Sequence, residues 1–385
     1  MVQPVTAKRV LIHALGADMG GALRHLTHFL PALSQSQSIL ITRPHYIILI
    51  KNKIKKPPEV KHITFISLPN CLSSSFIMRF IFDNLLLPIY LKLKNIDTVV
   101  SLTNFGPLWG AKTIVFQRNL IYFSRWYYQQ LPFSKKPPLL LRRFLSYFLM
   151  KRAKMIVVPS QSMRDRIIEQ FKGLDPEKFT IFPHAIELPP APLIPVKQTL
   201  ITLFQTPCPI FLYPSHLAAH KGYDILLQGL GALKRLYHLD FRCLLTCSLE
   251  EWPESKEPFL KLIQKEQIQN EVTFIGMVSH HEMTYLYQNS TLVVFPSILE
   301  SFGLPLVEAL SHGVPLIAAD TEINREICQD GALYYPPFNP EALAAQLKAA
   351  FDPEIRKKLS QKAKSQFASR DWSWGTYVRD FEKLI

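Results

Sequence analysis

Long apolar runs, paired cysteines and acidic residues in one half are what this 385-residue sequence has little of. Only five cysteines occur, Cys71, Cys208, Cys243, Cys247 and Cys328, and the one close pair has C-x3-C spacing. That pattern matches no zinc or disulfide framework and fits a reducing cytosol. No segment offers the roughly 20 uninterrupted apolar residues of a membrane span. The greasiest stretch, Phe76–Leu93, contains Arg79 and Asp83, and the charge-free stretch Gln198–His220 contains Pro207, Pro209 and Pro214. The early run "VLIHAL" is short and broken by His13, so no signal peptide is expected. No D-x-D occurs, which removes the usual carboxylate seat for a cation bridging a diphosphate, and no metal or other cofactor is expected. The pairs His216/His220 and His25/His28 lack a nearby third ligand. Neither a G-x-G-x-x-G fingerprint nor a Walker loop is present.

Acids are scarce on one side only. Residues 1–190 hold 26 Lys and Arg against nine Asp and Glu, and residues 191–385 hold 18 against 21. A basic half beside a near-neutral one points to an anionic surface or ligand. With 48% hydrophobic residues the chain has ample material for two cores.

Apolar runs alternate with helical patterns. "KRVLIHAL", "SILIT", "YIILI", "ITFISL", "DTVVSL", "TIVFQ" and "MIVVPS" read as buried strands, and a turn "GADMGG" follows the first. The Pro-rich "ELPPAPLIPVKQTL" reads as a linker. The alternation then restarts with "IFLYPS", "FRCLLTC", "VTFIGM", "TLVVFPS" and "PLIAAD", and the chain ends in helical segments. The expected fold is α/β: two Rossmann-like doubly wound domains facing a central cleft. The boundaries fall at 1–186, a linker over 187–200, a second domain over 201–370, and a terminal helix over 371–385.

Chemistry concentrates in "PSILESFGLPLVEALSHGVPLIAAD", Pro296–Asp320. Glu300 falls on the loop after a strand. Pro305 opens a helix and Gly313 closes it, so Glu308 lies one turn in. That helix start is an anion site. A loop carboxylate can bind sugar hydroxyls, and a carboxylate one turn in can hold a ribose diol.

This stretch closely resembles the E-x7-E signature of retaining glycosyltransferases of family 4, which have the GT-B fold. "HKGYDILLQGL", "FIGMVSHHEMTYLYQNSTLVVFPS", "GALYYPPFNPEALAAQL" and "MGGALRHL" add to the likeness. The resemblance implies that Glu300 contacts the donor sugar and that backbone amides of Phe302, Gly303 and Leu304 meet sugar and phosphates. It implies that Glu308 holds the ribose and that Lys221 neutralises the departing diphosphate. Gly20 and Gly21 would allow close approach to a phosphate or acceptor. The second domain would bind the nucleotide-sugar and the first an acceptor, with the terminal helix packing back on the first domain.

Two positions depart from the pattern. His216 stands where many relatives have an arginine and becomes a candidate donor-binding residue. Gln117, Arg118 and Asn119 stand where many have a histidine, so Arg118 and Asn119 become candidate catalytic groups. The basic, aromatic stretch Arg118–Lys154 suits an anionic membrane, with Trp126, Tyr127, Tyr128, Arg142 and Arg143 as contacts. No nucleic-acid module is visible. The sequence therefore points to a cytoplasmic glycosyltransferase, peripheral to the inner face of the membrane. It would move a sugar from a nucleotide-sugar to a cell-envelope glycan or lipid-linked acceptor, of lipopolysaccharide, capsule or O-antigen type. A non-catalytic scaffold for envelope glycan assembly and a nucleotide-sugar epimerase on the same fold are the alternatives.

Overall fold

A computed structural model describes residues 8–17, 20–36, 44–52, 54–56, 60–69, 75–186, 196–251 and 253–385. The chain divides into two compact units, Met1–Glu187 with Trp372–Ile385, and Leu188–Asp371.

The first unit holds seven parallel strands: β1 (Arg9–His13), β2 (His45–Lys51), β3 (Ile63–Leu68), β4 (Thr98–Ser101), β5 (Lys112–Phe116), β6 (Met155–Val158) and β7 (Phe179–Ile181). Their order is β3-β2-β1-β4-β5-β6-β7. Val10, Ile12, Ile48, Ile114 and Phe116 pack on one face, against Phe29 of the helix Gly20–Gln35 and Phe381 of the helix Trp374–Leu384. Leu11, Leu49 and Val99 pack on the other, against Leu87 and Leu91. Strands covered on both faces explain the near-continuous apolar runs in sequence.

The second unit repeats the plan with β8 (Ile210–Tyr213), β9 (Arg242–Leu245), β10 (Val272–Phe274), β11 (Leu292–Phe295), β12 (Leu316–Ala319) and β13 (Leu333–Tyr335), in the order β10-β9-β8-β11-β12-β13. The order reverses between β8 and β11, whose residues Leu292 and Val293 pair with Phe211 and Leu212. In open parallel sheets, ligands bind beyond the carboxyl ends of the strands at such a reversal.

The expected linker spans 187–200. Its last three residues belong to a helix, Gln198–Leu203, while 187–195 and the expected strand "SILIT" lie outside the described residues.

Candidate functional site

At the reversal, the loop after β8 carries Lys221 and the loop after β11 carries Glu300. Lys221 Nζ lies 2.6 Å from Glu300 Oε1, with the two side chains 10% and 13% exposed. The same Glu300 oxygen accepts from Ser297 Oγ at 2.6 Å. Burial pushes the Glu300 carboxyl upward, but the Lys221 charge and the hydrogen bonds from Lys221 and Ser297 outweigh it and hold the group below its usual range.

The two loops are stapled together by backbone. The His220 carbonyl accepts from Ile298 N at 3.0 Å, and Ser297 Oγ lies 3.2 Å from it. Tyr213 OH donates to the Lys221 carbonyl at 2.5 Å. Gly222 is required here: its φ is +65°, and a Cβ would sit 2.3 Å from the Pro296 carbonyl oxygen. Asn324, at the start of the helix after β12, donates to the Ser297 carbonyl at 3.3 Å and the Ala319 carbonyl at 2.8 Å. Three strand ends thus converge on one rigid platform. His220 is buried beside Lys221; desolvation first and the lysine charge second pull it down to about 4, so the imidazole is neutral at pH 7. Desolvation and then Lys221 likewise lower His216, whose ring centroid is 6.3 Å from that of His220.

The helix Leu304–His312 begins beside this platform. Gly303 caps it with φ +83°, and Phe302 beneath it is buried. Pro305 and Gly313 sit inside its start and just past its end. Its first-turn amides face out of the helix start, where an anion is favoured. Glu308, 8% exposed, accepts from Tyr287 OH at 2.9 Å. Tyr287 rises from the helix His280–Asn289, whose start is fixed by a capping box between Ser279 and Glu282. Nothing in the spacing of the motif announces Tyr287, Tyr213, Ser297 or Asn324. Tyr213, Ser297 and Tyr287 lie in "YP", "PS" and "YLYQN", beside or inside predicted strands and helices, while Asn324 has no such signal.

The candidates in the first unit make contacts of their own. Arg118 Nη2 donates to Tyr377 OH at 3.3 Å and to His25 Nε2 at 3.2 Å, and Tyr377 OH donates to the same nitrogen at 2.8 Å. Burial, then Arg118, hold His25 well below the imidazole range, so the ring is neutral and has one acceptor nitrogen. Asn119 accepts from Ile121 N at 3.0 Å and caps the turn Leu120–Phe123. Arg118 thus contacts the terminal helix and Asn119 caps a local turn. Gly20 and Gly21 open the helix Gly20–Gln35, and the space beside Gly21 is open. Gly16, just before them, is crowded: a Cβ there would meet Thr103 Oγ1 at 2.5 Å.

Trp126, Tyr127 and Tyr128 lie half-buried on the short helix Arg125–Gln130. Arg143 turns aside to Gln170 Oε1 at 3.1 Å and stacks on Phe171, while Arg142 is exposed. The exposed apolar groups of this region are instead Phe133, Leu140, Leu141, Phe144 and Phe148. Among the described residues, no helix is long and apolar enough to cross a membrane.

Comparison with known proteins follows the same division. Residues 201–366 match the model described as glycosyl transferases group 1, and residues 19–188 the model described as Glycosyltransferase Family 4. The second unit thus carries a group 1 glycosyltransferase domain and the first a family 4 one. An O-antigen chain mannosyltransferase of Salmonella typhimurium is 24% identical over 206 residues, covering 54% of this chain and 53% of that one. The chain thus matches about half the length of this relative. A glycosyltransferase from Rickettsia africae matches in structure with a TM-score of 0.71 at 20% identity, over 98% of both chains. Anabaena HepE, in a structure with UDP-glucose, matches with a TM-score of 0.71 at 15% identity, over 98% of this chain and 100% of that one. These likenesses establish the GT-B fold for this glycosyltransferase.

Proposed function

We propose that this glycosyltransferase moves a hexose from a nucleotide-sugar to a cell-envelope glycan or lipid-linked acceptor, with retention of anomeric configuration. The observation that carries the reading is the buried Lys221–Glu300 pair at the strand-order reversal of the group 1 domain. Glu308 binds the ribose diol, with Tyr287 holding the carboxylate in place. The amides at the start of the helix Leu304–His312 receive the diphosphate. Glu300 faces the sugar hydroxyls.

Lys221 has three ammonium donors and uses one on Glu300, which leaves others for a phosphate oxygen. In the reaction, the bond from the anomeric carbon to phosphate breaks and the acceptor oxygen takes its place. Negative charge builds on the leaving nucleoside diphosphate, so a fixed ammonium contributes more in the transition state than in the ground state. No step calls for a metal ion. The S. typhimurium relative, by its name, builds an O-antigen chain with mannose, which supports a mannose-type donor and an envelope acceptor. The surplus of cations in residues 1–190 supports a site of action at the anionic inner face of the cytoplasmic membrane.

The test is steady-state kinetics of Lys221→Ala with the donor that binds. Turnover should fall far more than donor affinity does. Equal losses in donor binding and in kcat/KM would contradict the role of Lys221 in the transition state. Conversion of the donor sugar without any acceptor would replace transfer with epimerisation.

A further inference from the structure

Helix faces turned to water are normally polar. The stretch Phe76–Leu93 of the first unit is the reverse. It runs as two α-helical segments joined by a π turn at Phe82–Leu86. Ile77, Ile81, Leu85, Ile89 and Leu93 face outward, 66%, 41%, 60%, 59% and 75% exposed. A step of four residues overshoots one α-helical turn, so such a row drifts around a straight helix. The wider π turn takes up part of that drift and keeps the row on one side.

The inner side of the π turn is pinned. Asp83 Oδ1 lies 2.8 Å from His13 Nε2 with both residues buried, and Asn84 Oδ1 accepts from Leu108 N at 3.0 Å. These contacts fix the rotation of the helix, so the apolar row is held outward.

A second helix, Lys136–Arg152, adjoins it. The Arg142 guanidinium lies 5.3 Å from the Phe76 ring, and Phe80, Leu145 and Leu149 line the cleft where the two helices meet. This helix also turns Leu140, Leu141, Phe144 and Phe148 outward, with Arg142, Lys151 and Arg152 exposed among them. No Asp or Glu occurs between Asp97 and Asp165, a stretch that holds 11 Lys and Arg.

We propose that this two-helix face inserts into an anionic lipid leaflet, with the Ile77–Leu93 row in the acyl boundary and the cations of Lys136–Arg152 among the headgroups. Apolar groups ringed by cations match the depth profile of such a leaflet. A second copy of the chain fits less well, because a self-complementary contact would set this cationic face against its own. The inference rests on the peripheral-membrane reading and goes beyond it by naming Phe76–Leu93, rather than the aromatics of Arg125–Gln130, as the inserted element.

The experiment is co-sedimentation of the full chain with phosphatidylglycerol vesicles and with phosphatidylcholine vesicles. The parent should bind the anionic vesicles, and less so in high salt. Leu85→Glu with Ile89→Glu should weaken that binding roughly tenfold or more while leaving the melting temperature unchanged. Leu260→Glu, which alters an exposed apolar residue of the second unit, should bind as the parent does. A double variant that binds like the parent overturns the insertion of this face while leaving membrane association standing. A parent that binds neither vesicle removes both. A dimer seen by light scattering, split by the double variant with vesicle binding unaffected, would assign the face to a second copy.

Discussion

Replacing Lys221 by Met keeps most of the side-chain volume and removes the charge opposite Glu300. The carboxylate then keeps only the Ser297 hydroxyl among its neighbours at that oxygen. With the lysine charge gone, burial becomes the dominant influence, and the Glu300 pKa should move from below the usual carboxylate value to above it. Breaking a buried pair from one side costs about 3–5 kcal/mol, and the retained Ser297 bond and slight exposure reduce this to roughly 2–4 kcal/mol. For a unit of this size that corresponds to a loss of roughly 5–15 °C in melting temperature at pH 7. The sign with pH follows from linkage. In the parent, the depressed Glu300 pKa contributes stability that is present above about 4.5 and is lost as pH falls through the folded value. In Lys221→Met the raised pKa makes the ionised carboxylate unfavourable, so the deficit should be largest near neutrality and shrink on acidification. Adding Glu300→Gln should restore most of the loss at pH 7, because both charges are then gone. Thermal unfolding of the parent, the single and the double variant across pH measures all of this. A pH-independent deficit, or a double variant no more stable than Lys221→Met, would refute the reasoning.

Other consequences follow from the same contacts. Glu308→Ala should weaken nucleotide binding by roughly 1.5–3 kcal/mol and Tyr287→Phe by roughly 0.5–1.5 kcal/mol, read by calorimetric titration. Gly222→Ala should cost about 1–3 kcal/mol in chemical denaturation, because φ is +65° and the new methyl meets the Pro296 carbonyl; turnover should fall with it as the two loops part. Tyr377→Phe should lower stability by roughly 1 kcal/mol through loss of its bonds with Arg118 and His25, with donor affinity in the second unit unchanged.

The second unit is the more legible half, for physical reasons. Its central strands are buried on both faces, so β8, β11 and β12 stand out as apolar runs, and the helix Tyr223–Tyr237 is bounded by Gly222 and His238, both in left-handed conformation. β7 and β13, three residues each at a sheet edge, are not among the strands read from the sequence. Lys221 and Glu300 are each visible in their motifs. Their direct pairing is not, because it depends on two loops 79 residues apart and on the His220 carbonyl that joins them. Arg118 is visible as a cation at a strand end, but its contact with Tyr377 is not, because the terminal helix makes it. The stretch Phe76–Leu93 is legible as apolar, but only the fold reveals that its apolar row faces out.

Thermal stabilisation of the purified chain by a panel of nucleotide-sugars and bare nucleotides tests the central claim most directly. A ligand at 100 times its Kd adds about 2.7 kcal/mol to the state that binds it. The account predicts a clear upward shift with one donor, lost in Glu308→Ala and retained in the exposed-face variant Leu85→Glu with Ile89→Glu. A donor-induced shift that survives Glu308→Ala, or no shift with any donor, would contradict the placement of the nucleotide-sugar at the Lys221–Glu300 platform.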